Sequence, residues 1–339
     1  MENATNSSVV TNDADSLERI TKTAICMFVL GLSLIENIVV LVVLKKDFKN
    51  SLRTANSYFI ASMSVADVLF ALQNLPLAYN NILLHGHWVI QGIIGLTLCK
   101  IDIFFSLISM VTTNLTILAI AVNRFFAVYA PLRKIITRRV CFSLIFLTWF
   151  VSAVLASPLL YYADFVSPAE HLTYCTLTDQ QVVKTWYIIL TGILATTLVA
   201  MLVLYTAIGL KLRRLRMPGT VSERAFLRRE KRNRDIFKML VTLIVVFYIC
   251  YLPLLVRQMS DFLGFFTSLQ TRHAVFAAVV MMSMNGVINP VIYFVFNESF
   301  RDGVKMALSK CGCCPGVVYS VHRHMTASRR TGGRTPTRM

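Results

Sequence analysis

The chain has 339 residues and a formal net charge of +17. Hydrophobic residues make up 56% and charged residues 15%, against about 45–50% and about 25% in soluble globular proteins. That balance argues against a soluble enzyme and against a disordered chain, and the positive charge raises nucleic acid as a partner until its location is known.

In chain order, Met1–Lys22 is polar, lacks the apolar stretch of a cleavable signal peptide, and carries Asn-x-Ser/Thr sequons at Asn3 and Asn6. About 20 apolar residues carry a helix across a bilayer. Seven segments reach that length: Thr23–Leu44, Ser57–Leu84, Leu96–Tyr129, Val140–Tyr161, Trp186–Leu210, Ile236–Leu263 and His273–Phe296. The third is long enough to tilt strongly or to project beyond the bilayer. Residues 297–310 space Phe300, Val304, Met306 and Leu308 among Arg301, Lys305 and Lys310, the pattern of a short amphipathic helix on a membrane surface. Cys311, Cys313 and Cys314 follow at once, and juxtamembrane cysteines beside a basic helix suit palmitoylation. Residues 311–339 are basic and polar, as in a disordered tail. The expected division is an extracellular segment 1–22, a membrane domain 23–296, a surface helix 297–310 and a cytoplasmic tail. The expected fold class is an all-α membrane protein, a seven-transmembrane helix bundle with a short eighth helix.

Lys and Arg orient such a chain. Four lie in Lys45–Arg53, five from Arg124 to Arg139, eleven from Lys211 to Lys238 and eight from Arg301 to Arg338, against six on the other side. The N-terminus is therefore expected outside and the C-terminus in the cytoplasm. The basic residues flank spans rather than line a groove, so no nucleic-acid partner is expected; inner-leaflet lipid is.

Polar residues inside the hydrocarbon layer are costly and usually functional. Here they include Glu36, Asn37, Asp67, Asn114, Arg124, Asn285 and Asn289. With Ser64-Val65-Ala66-Asp67, Cys99, Asn123-Arg124-Phe125, Trp149, Tyr205, Phe247, Cys250-Tyr251-Leu252-Pro253 and Asn289-Pro290-Val291-Ile292-Tyr293, the chain resembles the rhodopsin-like (class A) G protein-coupled receptors over nearly its whole length. Around Leu98-Cys99-Lys100 and Lys238-Met239-Leu240 it resembles their neuropeptide branch.

The resemblance implies a Cys99–Cys175 disulfide in an oxidising compartment. It implies a sodium ion held by Asp67, Ser109, Thr113, Asn285 and Asn289; the alternative is a protonated Asp67 bonded to Asn37 and Asn289. It implies activation switches at Asn123, Arg124, Tyr205, Phe247, Tyr251, Pro253, Asn289, Pro290 and Tyr293, with Pro253 and Pro290 permitting helix kinks. The partners it implies are a heterotrimeric G protein and arrestin. Several positions depart from the family pattern. Asn123 replaces the acidic neighbour that restrains the arginine, so raised basal signalling is expected unless Asp235 substitutes. Asn114, Thr197 and Tyr251 also replace the family's usual residues.

No Lys falls between Lys238 and Lys305, which excludes a retinal Schiff base in the last span. The expected ligand pocket is Asp102, Ser106, Met110, Leu254, Leu255, Gln258, Asp261, Val275, Val279 and Ser283, with Leu177 as a lid. A short peptide is the favoured agonist, a cationic one suiting the acidic mouth; a small amine, a lipid or another small molecule is the alternative. A transporter and a ligand-independent scaffold or decoy stay open as other classes. No hydrolytic triad, metal cluster or phosphate loop is visible, so neither enzymatic activity nor an enzymatic cofactor is expected.

Overall fold

The computed structural model describes residues 2–46, 54–79, 88–130, 133, 135–169, 172–214, 223–263 and 268–310. The helices are α1 (Glu2–Lys46), α2 (Ala55–Ala78), α3 (Gly92–Tyr129), α4 (Arg138–Tyr162), α5 (Gln180–Arg213), α6 (Glu223–Leu263), α7 (Ser268–Phe296) and α8 (Glu298–Lys310). A hairpin of β1 (Ala163–Ala169) and β2 (Leu172–Leu177) interrupts them between α4 and α5. Seven of the helices are long and apolar enough to cross a membrane.

Local chemistry sets several boundaries. Thr54 caps α2 by accepting from Ser57 N, and Thr137 caps α4 by accepting from Val140 N. Asp179 accepts from both Gln181 N and Val182 N at the start of α5, satisfying donors that a helix N-terminus leaves unpaired. Two helices outrun their apolar cores. α1 begins at Glu2 rather than near Thr23, and α6 at Glu223 rather than near Ile236. In α6, Arg234 reaches Glu230 one turn back at 2.5 Å, a helix-supporting pair. In α1, Lys22 pairs with Glu18 and donates to His273 Nδ1 of α7 at 3.0 Å.

α3 runs through the middle of the bundle. Its buried positions include Cys99 and Asp102 near the outer end, then Ser109, Thr113 and Asn114, then Ile117 and Ile120. The main core joins Val40, Phe59, Met63, Ile117, Leu243, Phe247 and Tyr293 from α1, α2, α3, α6 and α7. On the perimeter, Phe146 of α4 is 70% exposed and Val203 of α5 is 63% exposed. Large apolar side chains in that position face lipid rather than water.

Polar contacts then fix neighbouring helices. Asn37 Nδ2 donates to Ser33 O and Gly286 O at 2.9 and 3.0 Å, tying α1 to α7. Trp149 Nε1 donates to Ser62 Oγ at 3.0 Å across α4 and α2. Such bonds hold weight in a layer where no water competes.

Candidate functional site

At the outer end, Cys99 and Cys175 form a disulfide with Cα atoms 5.7 Å apart. It fixes the hairpin to the head of α3, and Trp88 N donates to Thr173 O at 2.6 Å beside it. In the β1–β2 register, Phe165 pairs with Cys175 and Leu177 with Ala163. The expected lid residue therefore sits at the base of this hairpin.

Asp102 is 6% exposed, and its Oδ1 has no hydrogen-bond partner among the described residues. One turn further in, Ser106 Oγ accepts from Gln73 Nε2 of α2 at 2.8 Å. Gln258 of α6 is 2% exposed, with an unpartnered Oε1. Its neighbour Arg257 donates to Tyr187 Oη of α5 at 3.0 Å. Met110 belongs to the core, and Leu254 and Leu255 pack against it. Val279 packs instead on the Cys26, Leu30 and Phe70 cluster of α1 and α2, while Ser283 Oγ donates to Val279 O at 2.7 Å. Val275 is half-buried on α7. The side chain of Asp261 lies outside the described residues.

Mid-membrane, Asn289 Nδ2 donates to Asp67 Oδ2 at 3.2 Å. Asn37 Nδ2 donates to α1 and α7 backbone carbonyls, and its Oδ1, the atom a protonated Asp67 would donate to, has no partner among the described residues. Ser109 Oγ, Asn285 Oδ1 and Asn289 Oδ1 are buried without partners among the described residues. Unpartnered oxygens such as these suit a hard monovalent cation better than a soft one.

The substituted positions form a connected network. Asn114 Nδ2 donates to Thr197 Oγ1 at 2.9 Å, joining α3 to α5. Thr197 Oγ1 lies 3.2 Å from Tyr248 Oη, and Tyr248 donates to Leu194 O at 2.8 Å, joining α6 to α5. One residue away, the Phe247 ring packs on Tyr251 with centroids 4.4 Å apart. Where the sequence shows isolated departures, the fold makes one polar link across three helices.

At the inner end, Arg124, Val128, Tyr205, Ile208, Phe237 and Leu240 line a cavity of about 20 Å³, room for about one water. Asn123 Nδ2 donates to Asn56 Oδ1 at 2.8 Å. Asp235 takes part in none of the described ion pairs. Tyr293 Oη lies 3.7 Å from Met63 Sδ, and its ring packs edge-on to Phe300 of α8. Pro253 and Pro290 sit inside α6 and α7 as expected. The side chains of Asn3 and Asn6, and all of Cys311, Cys313 and Cys314, lie outside the described residues.

Gln73, Tyr248 and Asn56 do not stand out in the sequence, because each belongs to an apolar helix and its partner lies on another. The only available signal is a polar side chain within a span, which names a candidate but not what it meets.

The described residues form a seven-helix membrane bundle with a disulfide at one end of α3 and an arginine-lined cavity at the other. Residues 36–293 match the 7 transmembrane receptor (rhodopsin family) pattern, and the chain belongs to that family. It is 28% identical to the Substance-P receptor of Aquarana catesbeiana over 82% of this chain and 68% of that one. It is 28% identical to the Substance-K receptor of Bos taurus over 78% and 69%. It is 30% identical to the Neuropeptide Y receptor type 2 of Mus musculus over 82% and 72%.

Proposed function

We propose that this receptor converts binding of a short extracellular peptide into activation of a heterotrimeric G protein. The observation that carries the reading is that relatives matched over most of both chains are named for peptides. The Lys and Arg bias supports a plasma-membrane orientation with the N-terminus outside.

Agonist contacts in the outer half of α3, α6 and α7 favour a conformation in which α6 moves about Pro253. A ligand shifts such an equilibrium only by its preference for one state. Opening then exposes Arg124, Tyr205 and Tyr293 to the transducer. Asp67, Ser109, Thr113, Asn285 and Asn289 would hold a sodium ion, which would neutralise the buried carboxylate and favour the closed packing of α2, α3 and α7. α8, with Phe300 buried and Arg301 near the surface, fits a place on the inner leaflet, and the tail beyond it is a candidate arrestin site. Glycans on Asn3 and Asn6 and palmitoyl groups on Cys311, Cys313 and Cys314 complete the proposal.

The test is guanine-nucleotide exchange in membranes expressing the chain, screened against a library of short amidated peptides. Exchange driven by peptides and not by lipids or small amines supports the reading. Activation by small molecules alone overturns it.

A further inference from the structure

Asp102, Ser106 and Gln73 make an acceptor-rich subsite at the outer end of the α2–α3 seam. Asp102 and Ser106 lie one turn apart on α3, a spacing that puts them on one face. Gln73 is held to Ser106 through its Nε2 at 2.8 Å, which uses one of its two amide N–H groups and leaves its carbonyl oxygen over. Both remaining oxygens, Asp102 Oδ1 and Gln73 Oε1, are buried without hydrogen-bond partners among the described residues. Along α3 the nearest basic residue, Lys100, is turned away to donate to Leu160 O of α4 at 2.6 Å. Asp102 joins none of the described ion pairs.

A carboxylate buried without a partner is among the most costly groups a fold can hold. The disulfide at Cys99 holds the β1–β2 hairpin to the same end of α3. A group that supplies positive charge and several N–H donors has the chemistry that such oxygens lack. The outer face carries more acidic than basic residues, which draws cations toward it.

We propose that Asp102, with Gln73 and Ser106, forms a cation-recognition subsite that takes a guanidinium or ammonium group of the agonist. It rests on the receptor reading above and names the ligand chemistry of one end of that pocket. The subsite selects for an Arg or Lys side chain of a peptide, and against a carboxylate at the same place.

The experiment uses the full-length receptor in membranes, with two probe sets read by nucleotide exchange. One is a set of short amidated peptides in which each Arg is exchanged for uncharged citrulline. The other is a set of free aryl- and alkylamines. On the wild type, one Arg-to-citrulline exchange should weaken the active peptide about 30-fold, as for loss of a charged hydrogen-bonded pair. Asp102→Asn should weaken the Arg peptide by a similar factor and respond equally to Arg and citrulline. Asp102→Asn combined with Gln73→Glu should restore preference for Arg, because the carboxylate has only moved across the seam. Surface expression of each variant is measured, so a folding defect is separated from a binding one. Active peptides that need no cation, or an Asp102→Asn receptor that still discriminates Arg from citrulline, overturn the inference and leave the peptide reading standing. Response to amines alone, abolished by Asp102→Asn, overturns the peptide reading and supports the subsite. Silence from both sets on a well-expressed receptor counts against both.

Discussion

Asn123 precedes the arginine that lines the inner cavity, and its amide is spent on Asn56 of α2 at 2.8 Å. An amide there cannot hold the guanidinium as a carboxylate would. Asn123→Asp is expected to lower basal nucleotide exchange severalfold in ligand-free membranes; unchanged basal exchange would falsify the weakened restraint. Tyr248 acts in the opposite sense. Its hydroxyl bonds Leu194 O in this arrangement of α5 and α6. Tyr248→Phe removes that link and leaves an already helix-bonded carbonyl, a loss of about 1 kcal/mol. Basal exchange should rise about fivefold, and a fall would mean that the network belongs to the open state instead. Asp67→Asn addresses the oxygen cluster. Wild-type agonist affinity should weaken when sodium replaces a large organic cation in the buffer, and the variant should be indifferent. Equal sodium sensitivity in both proteins would remove the ion from this site.

Between helices, small residues decide how closely backbones approach. A Cβ added at Gly286 of α7 would collide with Ser33 Oγ of α1 and come within 3.4 Å of Ser33 Cβ. The Ser33 hydroxyl can swing aside for Ala, but not for a branched side chain. Gly286→Val should therefore cost about 1–3 kcal/mol through overpacking. It should lower the melting temperature in detergent and reduce surface expression, with Gly286→Ala close to wild type; equal losses from the two would point elsewhere. The seven spans themselves are legible in the sequence because a hydrocarbon layer demands apolar runs of a fixed length. Cys99 and Cys175 were legible too, through their motif and compartment rather than any distance. The β1–β2 hairpin was not, since the run from Ala163 to Leu177 mixes Asp, Ser and Thr with apolar residues and gives no clean alternation. Nor were the polar starts of α1 and α6, where charged helix formers continue a helix beyond its apolar core. The partners of Gln73, Asn114 and Tyr248 depend on how each helix is rotated about its axis. Hydropathy along one segment does not record that angle.

Across the whole molecule, Asp102 with its unpartnered oxygen and the cavity at Arg124 lie at opposite ends of α3. Asp102 stands about 33 Å along that helix from Arg124. Between them sit the Asp67–Asn289 contact and the Asn114–Thr197–Tyr248 link, both buried and both joining different helices. A signal passing this distance needs an element with two arrangements that both ends bias. α6 is the candidate, since it carries Gln258 outside, Tyr248 and Pro253 in the middle, and Phe237 and Leu240 on the inner cavity. If agonist and G protein favour the same arrangement of α6, each must tighten the other by one shared factor. Agonist competition in membranes should therefore show affinity higher by about 5–150-fold with nucleotide-free G protein than with a nonhydrolysable GTP analogue. Arg124→Ala should abolish that shift while keeping the low-affinity agonist binding, because Arg124 lies on the inner cavity and far from the outer pocket. A shift that survives Arg124→Ala would separate the inner cavity from the transducer, and loss of low-affinity binding as well would mean that the substitution disturbs the bundle rather than its coupling.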